Sequence, residues 1–207
     1  QMAETTALYL HGLGRDELRA NERKILDRNL RKGIKYVPVC IDWRSSETFQ
    51  ELHDRITALA SNLVAGMSDQ DRLIIEGSSA GGSLAFNTAQ RLNDFRVRAI
   101  SHSGRLTVGN FSQSDWRNLE HCAHLGTDRA SQSFYDSVVY CETVTAPSLT
   151  EEDKMRMLIT KPWVDEVVPV GTMTLEGIRT VTVPMVGHSL GIGVGMLQLP
   201  SLLSSMQ

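Results

Sequence analysis

Short apolar segments, several of them without polar alternation, recur along the chain, and segments with helical periodicity separate them. Six of these segments are predicted strands, over residues 5–10, 36–41, 72–76, 97–102, 155–160 and 179–183. Apolar residues on both faces are typical of strands in a parallel sheet that helices cover on both sides. The alternation of strands with helices therefore predicts an α/β fold, a doubly wound and mostly parallel six-stranded sheet. Pro38 in the second segment lacks an N–H, which favours a sheet edge for that strand.

Helical spacing of apolar residues predicts helices over 16–31, 47–66, 80–92 and 189–205. His53, in the second helix, is expected to face solvent. The polar interval 105–150 breaks the alternation and is too long for a loop in a compact domain, so we interpret it as an inserted cap. A chain of 207 residues fits a single domain, 1–207, that includes this cap.

Composition argues against several classes of protein. The formal net charge of −3, with Lys and Arg spread along the chain, argues against a nucleic-acid partner. No apolar run approaches the roughly 20 residues that a membrane span needs, so no span is expected. The three cysteines include no C-x-x-C pair, which supports neither a zinc site nor a disulfide framework. We therefore expect a cytoplasmic protein.

The segment EGSSAGGSLAF, residues 76–86, follows the third predicted strand and leads into a helix. Gly77 and Gly82 have the spacing of a phosphate-binding loop, but Ser83 stands where that loop needs lysine. Gly77-Ser78-Ser79-Ala80-Gly81 is instead a G-x-S-x-G, the pattern of a nucleophile on a sharp strand-to-helix turn, with Ser79 at its centre. The alternative is a purely structural role, a tight turn in which Ser78 or Ser79 caps the helix.

A nucleophilic serine needs a base, and the base needs an orienting carboxylate. His188 follows the last predicted strand and is the candidate base, with His102, at the end of strand four, as the best competitor. Asp165 follows strand five and is the candidate acid, with Glu166 as the adjacent alternative. The chain order Ser79, Asp165, His188 is that of α/β-hydrolases, and all three follow strands at one edge of a parallel sheet.

An acyl-transfer site also needs two N–H donors for the oxyanion of the intermediate. The N–H of Ala80 follows the nucleophile, and the N–H of Leu13 lies in the loop LYLHGLG after strand one. Gly12 lets that loop approach the substrate, while His11 is expected to brace it. Trp163 and Met185 flank the acid and histidine loops and are candidates for the pocket wall.

Four segments together resemble the α/β-hydrolase superfamily: LYLHGLG its oxyanion loop, GSSAGG its nucleophile elbow, VDEVVP its acid loop and VGHS its histidine loop. The chain is particularly similar to small bacterial serine esterases with a Gly-Ser-Ser-x-Gly-Gly elbow. The resemblance implies the strand order 2-1-3-4-5-6, and ester or thioester hydrolysis without a metal or cofactor.

We therefore expect a serine hydrolase, a carboxylesterase for small-molecule esters of short to medium acyl chain. A thioesterase, lipase or peptidase would use the same triad. A non-catalytic binding protein with this fold is the alternative from another class.

Overall fold

The computed structural model describes residues 3–12, 18–43, 47–107 and 149–206 of the chain. The predicted cap over 105–150 falls largely on residues 108–148, which lie outside the described residues. The cap, and the single domain that would include it, therefore stay predictions.

The described residues form one six-stranded sheet, in which every neighbouring pair is parallel and the strands, numbered along the chain, lie in the order 2-1-3-4-5-6. This confirms the predicted fold class and the order 2-1-3-4-5-6, and it places the strand that contains Pro38 at an edge. The strands β1 to β6 are, in chain order, Thr5–Leu10, Ile34–Val39, Arg72–Ser78, Val97–His102, Met157–Val164 and Arg179–Val186.

Helices cover both faces of this sheet, which makes the fold doubly wound. One face packs on the helices over 49–65 and 80–92 through a large apolar core, and the other packs on the helices over 20–30 and 188–204 through two smaller clusters. The helices α1 to α5 are Ala20–Leu30, Phe49–Ala65, Ala80–Leu92, Glu151–Met155 and His188–Ser204, and a short 3₁₀ helix spans Val170–Met173.

Strand β2 begins and ends two residues earlier than the apolar pattern predicts. Its register pairs Thr5 with Ile34 and ends at the pair Leu10–Val39. Ile41 is fully buried, which explains the prediction, but its N–H donates to His11 Nε2 (3.0 Å) rather than to a strand. A side chain thus replaces the β-ladder as the partner of this backbone group.

The expectation that His53 faces solvent is wrong. His53 is only 1% exposed, and its ring stacks on that of Phe49 at a centroid distance of 6.5 Å. Helix α2 packs against α3 and also contributes to the apolar core on this face of the sheet, so it buries more than one side. Burial, followed by the positive charge of Arg91, lowers the pKa of His53 to about 4.

This lowered pKa predicts a loss of stability in mild acid. Between about pH 6.5 and pH 4 the unfolded chain binds a proton on His53 that the folded chain does not bind. Since the folded pKa is depressed, the stabilisation is complete above the unfolded pKa and is lost as the pH falls. We expect this residue to lower the free energy of unfolding by about 3 kcal/mol across that range. Urea unfolding of the wild type and of His53→Leu at several pH values would measure it. Parallel pH profiles for the two proteins would contradict the prediction.

Candidate active site

Ser79 stands alone between the last residue of β3 and the first residue of α3, in a strained conformation. Its φ of 52° and ψ of −122° lie in a region that residues other than glycine rarely occupy. The Ser79 N–H donates to the carbonyl of His102, at the end of the neighbouring strand (2.9 Å). Strain of this kind persists only where the surrounding structure enforces it, and it concentrates at functional sites.

The three glycines around Ser79 are required by space. A Cβ on Gly77 would lie 2.0 Å from the carbonyl oxygen of Gly81, and a Cβ on Gly81 would lie 2.2 Å from that of Leu10. A Cβ on Gly82 would lie 2.3 Å from Ser101 Oγ. The Gly-x-Ser-x-Gly-Gly pattern therefore lets α3 start directly against β1, β3 and β4, which produces the sharp turn at Ser79.

Asp165 and His188 form a buried hydrogen-bonded pair at the ends of β5 and β6. His188 Nδ1 donates to Asp165 Oδ2 at 2.7 Å, and the side chains are 11% and 0% exposed, respectively. The other carboxylate oxygen, Oδ1, accepts the N–H groups of Val167 and Val168, both at 2.8 Å. These bonds fix the carboxylate, and the bond to Nδ1 directs the opposite nitrogen of the ring, Nε2, away from Asp165.

Glu166, the alternative acid, contacts the same histidine at a different atom. Its Oε2 accepts the backbone N–H of His188, the first residue of α5, at 3.0 Å. A carboxylate at a helix N-terminus is stabilised by the helix dipole and satisfies an otherwise unpaired N–H. Gly187, with φ of 107°, makes the preceding turn. Asp165 thus holds the imidazole ring, and Glu166 holds the backbone that carries it.

His102, the competing base, is enclosed. It is 0% exposed, and both ring nitrogens have partners: Nε2 lies 2.9 Å from Glu76 Oε1, and Nδ1 lies 2.7 Å from Thr160 Oγ1. A base must have one nitrogen directed at the reacting hydroxyl, which this ring does not have. Sequence reasoning missed the Glu76–His102 pair, although a glutamate inside the apolar strand segment LIIEG was its signal.

The loop after β1 reaches Ser79 at Gly12. A Cβ on Gly12 would lie 2.9 Å from Ser79 Cβ and 3.6 Å from Ser79 Oγ, so only glycine permits this approach. His11 is buried, and its ring contacts both the N–H of Ile41 and the carbonyl of Gly12 (each 3.0 Å). Leu13, the predicted second oxyanion donor, lies outside the described residues. Ala80 is the first residue of α3, where helical N–H groups have no acceptor within the helix.

The remaining predicted site residues lie at the same end of the sheet. Trp163 is 62% exposed near the end of β5, two residues before Asp165, and Met185 is partly buried three residues before His188. Within the described part of the chain, no hydrogen bond joins Ser79 to His188, whose ring is bonded to Asp165. Catalytic hydrogen bonds commonly form only with substrate in place. The catalytic roles of Ser79, Asp165 and His188 stay predictions.

No helix within residues 3–12, 18–43, 47–107 and 149–206 is both long and apolar enough to cross a membrane.

No protein-family model and no curated protein sequence matches the chain. Solved structures do match it over nearly its whole length. A monoacylglycerol lipase from Paleococcus ferrophilus has a TM-score of 0.63 at 11% identity, covering 100% of this chain and 97% of its own. A meta-cleavage product hydrolase from Pseudomonas fluorescens has a TM-score of 0.64 at 17% identity, with 99% and 91% covered.

A third similar structure comes from work on carboxylesterases of the thaumarchaeon Nitrososphaera gargenis. Its TM-score is 0.65 at 13% identity, and the match covers 98% of this chain and 91% of that one. At identities this low, the likeness shows a common fold.

Proposed function

Because the chain has the α/β-hydrolase fold, we propose that it is a serine hydrolase that cleaves carboxylic esters of short to medium acyl chain. One observation carries the proposal. A strained serine and a buried Asp–His pair follow strands of one parallel sheet, all at its carboxyl edge, where ligands bind in open α/β sheets. The serine is Ser79, and the pair is Asp165 and His188.

Ser79 Oγ attacks the ester carbonyl while His188 Nε2 accepts the hydroxyl proton. The hydrogen bond from His188 Nδ1 to Asp165 supports this assignment, because it requires the proton on Nδ1 and so leaves Nε2 as the basic nitrogen. The carboxylate also stabilises the imidazolium that forms. The backbone N–H groups of Val167 and Val168 keep Asp165 in place during this step.

The N–H groups of Ala80 and Leu13 stabilise the negative oxygen of the tetrahedral intermediate. Ala80 is the first residue of α3, and Leu13 follows Gly12, the residue that lies against Ser79, in the sequence. Removing one donor of this kind typically lowers turnover by about 10²–10³-fold. Collapse of the intermediate breaks the bond to the alcohol oxygen, which takes the proton from the His188 imidazolium and leaves as the alcohol, so an acyl-enzyme remains. His188, again neutral, accepts a proton from water as the water attacks the acyl carbonyl, and it returns that proton to Ser79 Oγ as the acid is released.

The proposed substrate class is consistent with the similar structures, which include a monoacylglycerol lipase and carboxylesterases. Thioesters and amides could enter the same chemistry, and the pocket decides among them. Trp163 and Met185 are proposed for the pocket wall and Gly12 for substrate contact. A small cap would bound a small site, which favours acyl chains of roughly C2 to C8. A cytoplasmic location is part of the same proposal.

Labelling with a fluorophosphonate probe tests the proposed function directly. The probe should modify the wild type, and peptide mapping should place the adduct on Ser79 and not on Ser78. A series of p-nitrophenyl esters then measures the acyl preference, with the optimum expected at or below C8. An adduct on another residue would contradict the assignment of the nucleophile, and the absence of an adduct would favour a binding protein. An optimum at longer chains would contradict the substrate range alone.

A further inference from the structure

A second carboxylate–histidine pair lies beneath the proposed site, on the face of the sheet that α5 covers. Glu76 of β3 and His102 of β4 are both 0% exposed. His102 Nε2 donates to Glu76 Oε1 (2.9 Å), and the Tyr36 hydroxyl donates to Glu76 Oε2 (3.0 Å). His102 Nδ1 lies 2.7 Å from Thr160 Oγ1 on β5. Each polar atom of the pair therefore has a hydrogen-bond partner.

Stability alone does not account for this pair. A buried carboxylate costs free energy that its hydrogen bonds only offset, and well-packed apolar residues often stabilise a fold equally well. The surrounding face is apolar, with Ile74, Ile100 and Leu158 in one buried cluster. Burial and the nearby Glu76 carboxylate also raise the pKa of Tyr36, so its hydroxyl stays a donor. These polar groups interrupt a core that could have been continuous.

The pair contacts the proposed nucleophile through the backbone of His102. The carbonyl of His102 accepts the Ser79 N–H (2.9 Å), and this bond helps to hold the strained turn. Two strands fix the ring of the same residue, through Glu76 on one side and Thr160 on the other. A displacement of the whole residue, which these ring contacts oppose, would move the carbonyl that accepts the Ser79 N–H.

The pair also contacts the helix that carries the proposed base. A Cβ on Gly195 of α5 would lie 2.5 Å from Thr160 Oγ1 and 2.6 Å from His102 Nδ1. The helix backbone thus packs directly on the pair, with no side chain between them. Because α5 begins at His188, the position of His102 limits how deeply this helix sits on the sheet.

We propose that Glu76 and His102 are positioning residues that hold the turn at Ser79 and the helix of His188 in register with each other. The inference rests on the proposed serine-hydrolase function. Glu76 and His102 act only through the positions of Ser79 and His188, and neither exchanges a proton with substrate. Loss of the pair misplaces the nucleophile relative to the base and slows acylation, while binding of substrate in the pocket is little changed.

Glu76→Gln is the principal test, with Asp153→Asn as its matched control. Asp153 is also a buried carboxylate, paired with Arg156 (2.7 Å), but it lies in α4, before the amino end of β5 and away from the proposed site. Each change leaves one acceptor oxygen where the carboxylate uses two, since Glu76 accepts from His102 and Tyr36 and Asp153 accepts from Arg156 and Thr150. Both changes should therefore lower the melting temperature. Since displacements near 1 Å can cost about 10²-fold in rate, we expect Glu76→Gln to lower kcat and the fluorophosphonate labelling rate at least tenfold. KM should change less than about twofold, and Asp153→Asn should keep its kcat within about twofold.

Thr160→Val and Thr160→Ser provide the test if Glu76→Gln does not fold. Valine removes the hydroxyl that contacts His102 Nδ1 and keeps the shape of the side chain, while serine retains that hydroxyl. We expect kcat to fall in Thr160→Val and to stay near the wild-type value in Thr160→Ser. An equal fall in kcat in Thr160→Val and Thr160→Ser would overturn the proposal. A fall in kcat in Glu76→Gln no larger than that in Asp153→Asn would also overturn it.

Hydrogen–deuterium exchange separates this inference from the proposed function. Compared with Asp153→Asn, the Glu76→Gln variant should exchange amide hydrogens faster at residues 77–82 and 187–191. We expect this whether or not the wild type hydrolyses esters. Unchanged exchange in both segments would overturn the positioning role, even in an active enzyme. Failure of the wild type to hydrolyse esters or to be labelled would instead count against the proposed function.

Discussion

Alanine in place of Ser79 is expected to reduce kcat for a p-nitrophenyl ester by on the order of 10⁵–10⁶-fold, because no other group can form the acyl-enzyme. The change should scarcely affect folding, since alanine removes only a hydroxyl and the strained turn is enforced by the packing of Gly77 and Gly81. Steady-state kinetics and the melting temperature of the same preparation measure both expectations.

Ser78→Ala is the matched control for Ser79→Ala. Ser78 is 1% exposed, and its Oγ lies 2.8 Å from the buried hydroxyl of Tyr9, so this serine takes part in packing. Ser78→Ala should lower the free energy of unfolding, because the Tyr9 hydroxyl loses a hydrogen-bond partner, and it should lower kcat by less than about tenfold. A Ser78→Ala variant as inactive as Ser79→Ala, or a Ser79→Ala variant with more than a few per cent of wild-type activity, would contradict the assignment.

The second large effect is expected for Asp165→Asn. An asparagine amide group at the Oδ2 position would donate towards Nδ1 and shift the imidazole proton to Nε2, the atom that must act as base. A substitution of this kind lowers kcat by about 10⁴-fold in serine hydrolases that use a buried aspartate. We expect a loss of that order, measured as kcat across the pH range so that a mere shift of the optimum is visible.

Glu166→Gln separates the two acidic residues. Glutamine retains an oxygen that can accept the N–H of His188, so the start of α5 should stay in place. We expect kcat within about tenfold of the wild type and a modest drop in melting temperature, from the lost charge at the helix N-terminus. A larger loss for Glu166→Gln than for Asp165→Asn would reverse the roles of the two residues.

The sheet could be predicted because its pattern is local. Short apolar segments, several of them without alternation, predicted all six strands, and Pro38 predicted an edge. Strand ends were less predictable, since they depend on pairing: Ile41 is as buried as a strand residue, but its N–H bonds to His11. The exposure of His53 was predicted wrongly because α2 also packs against the neighbouring helix α3, and no pattern within α2 reports that contact.

The candidate site could be predicted only as far as its residues follow strands. Chain order and position after β3, β5 and β6 pointed to Ser79, Asp165 and His188, and these positions hold the strained turn and the hydrogen-bonded pair. The choice between Asp165 and Glu166 as the partner of the ring was open, because neighbouring residues differ only in which direction their side chains take from the loop. The pair of Glu76 and His102 depends on the alignment of two strands, which spacing along the chain does not reveal.

The glycines around Ser79 also limit how this protein could be altered. With about 2 Å between a new Cβ at Gly77 or Gly81 and the opposing backbone, even alanine would force strand and helix apart. Mutant libraries aimed at this turn would therefore return mostly unfolded protein. If the protein is the proposed hydrolase, new substrate preferences would have to come from exposed positions of the proposed pocket, such as Trp163, which is not part of the backbone that holds the serine.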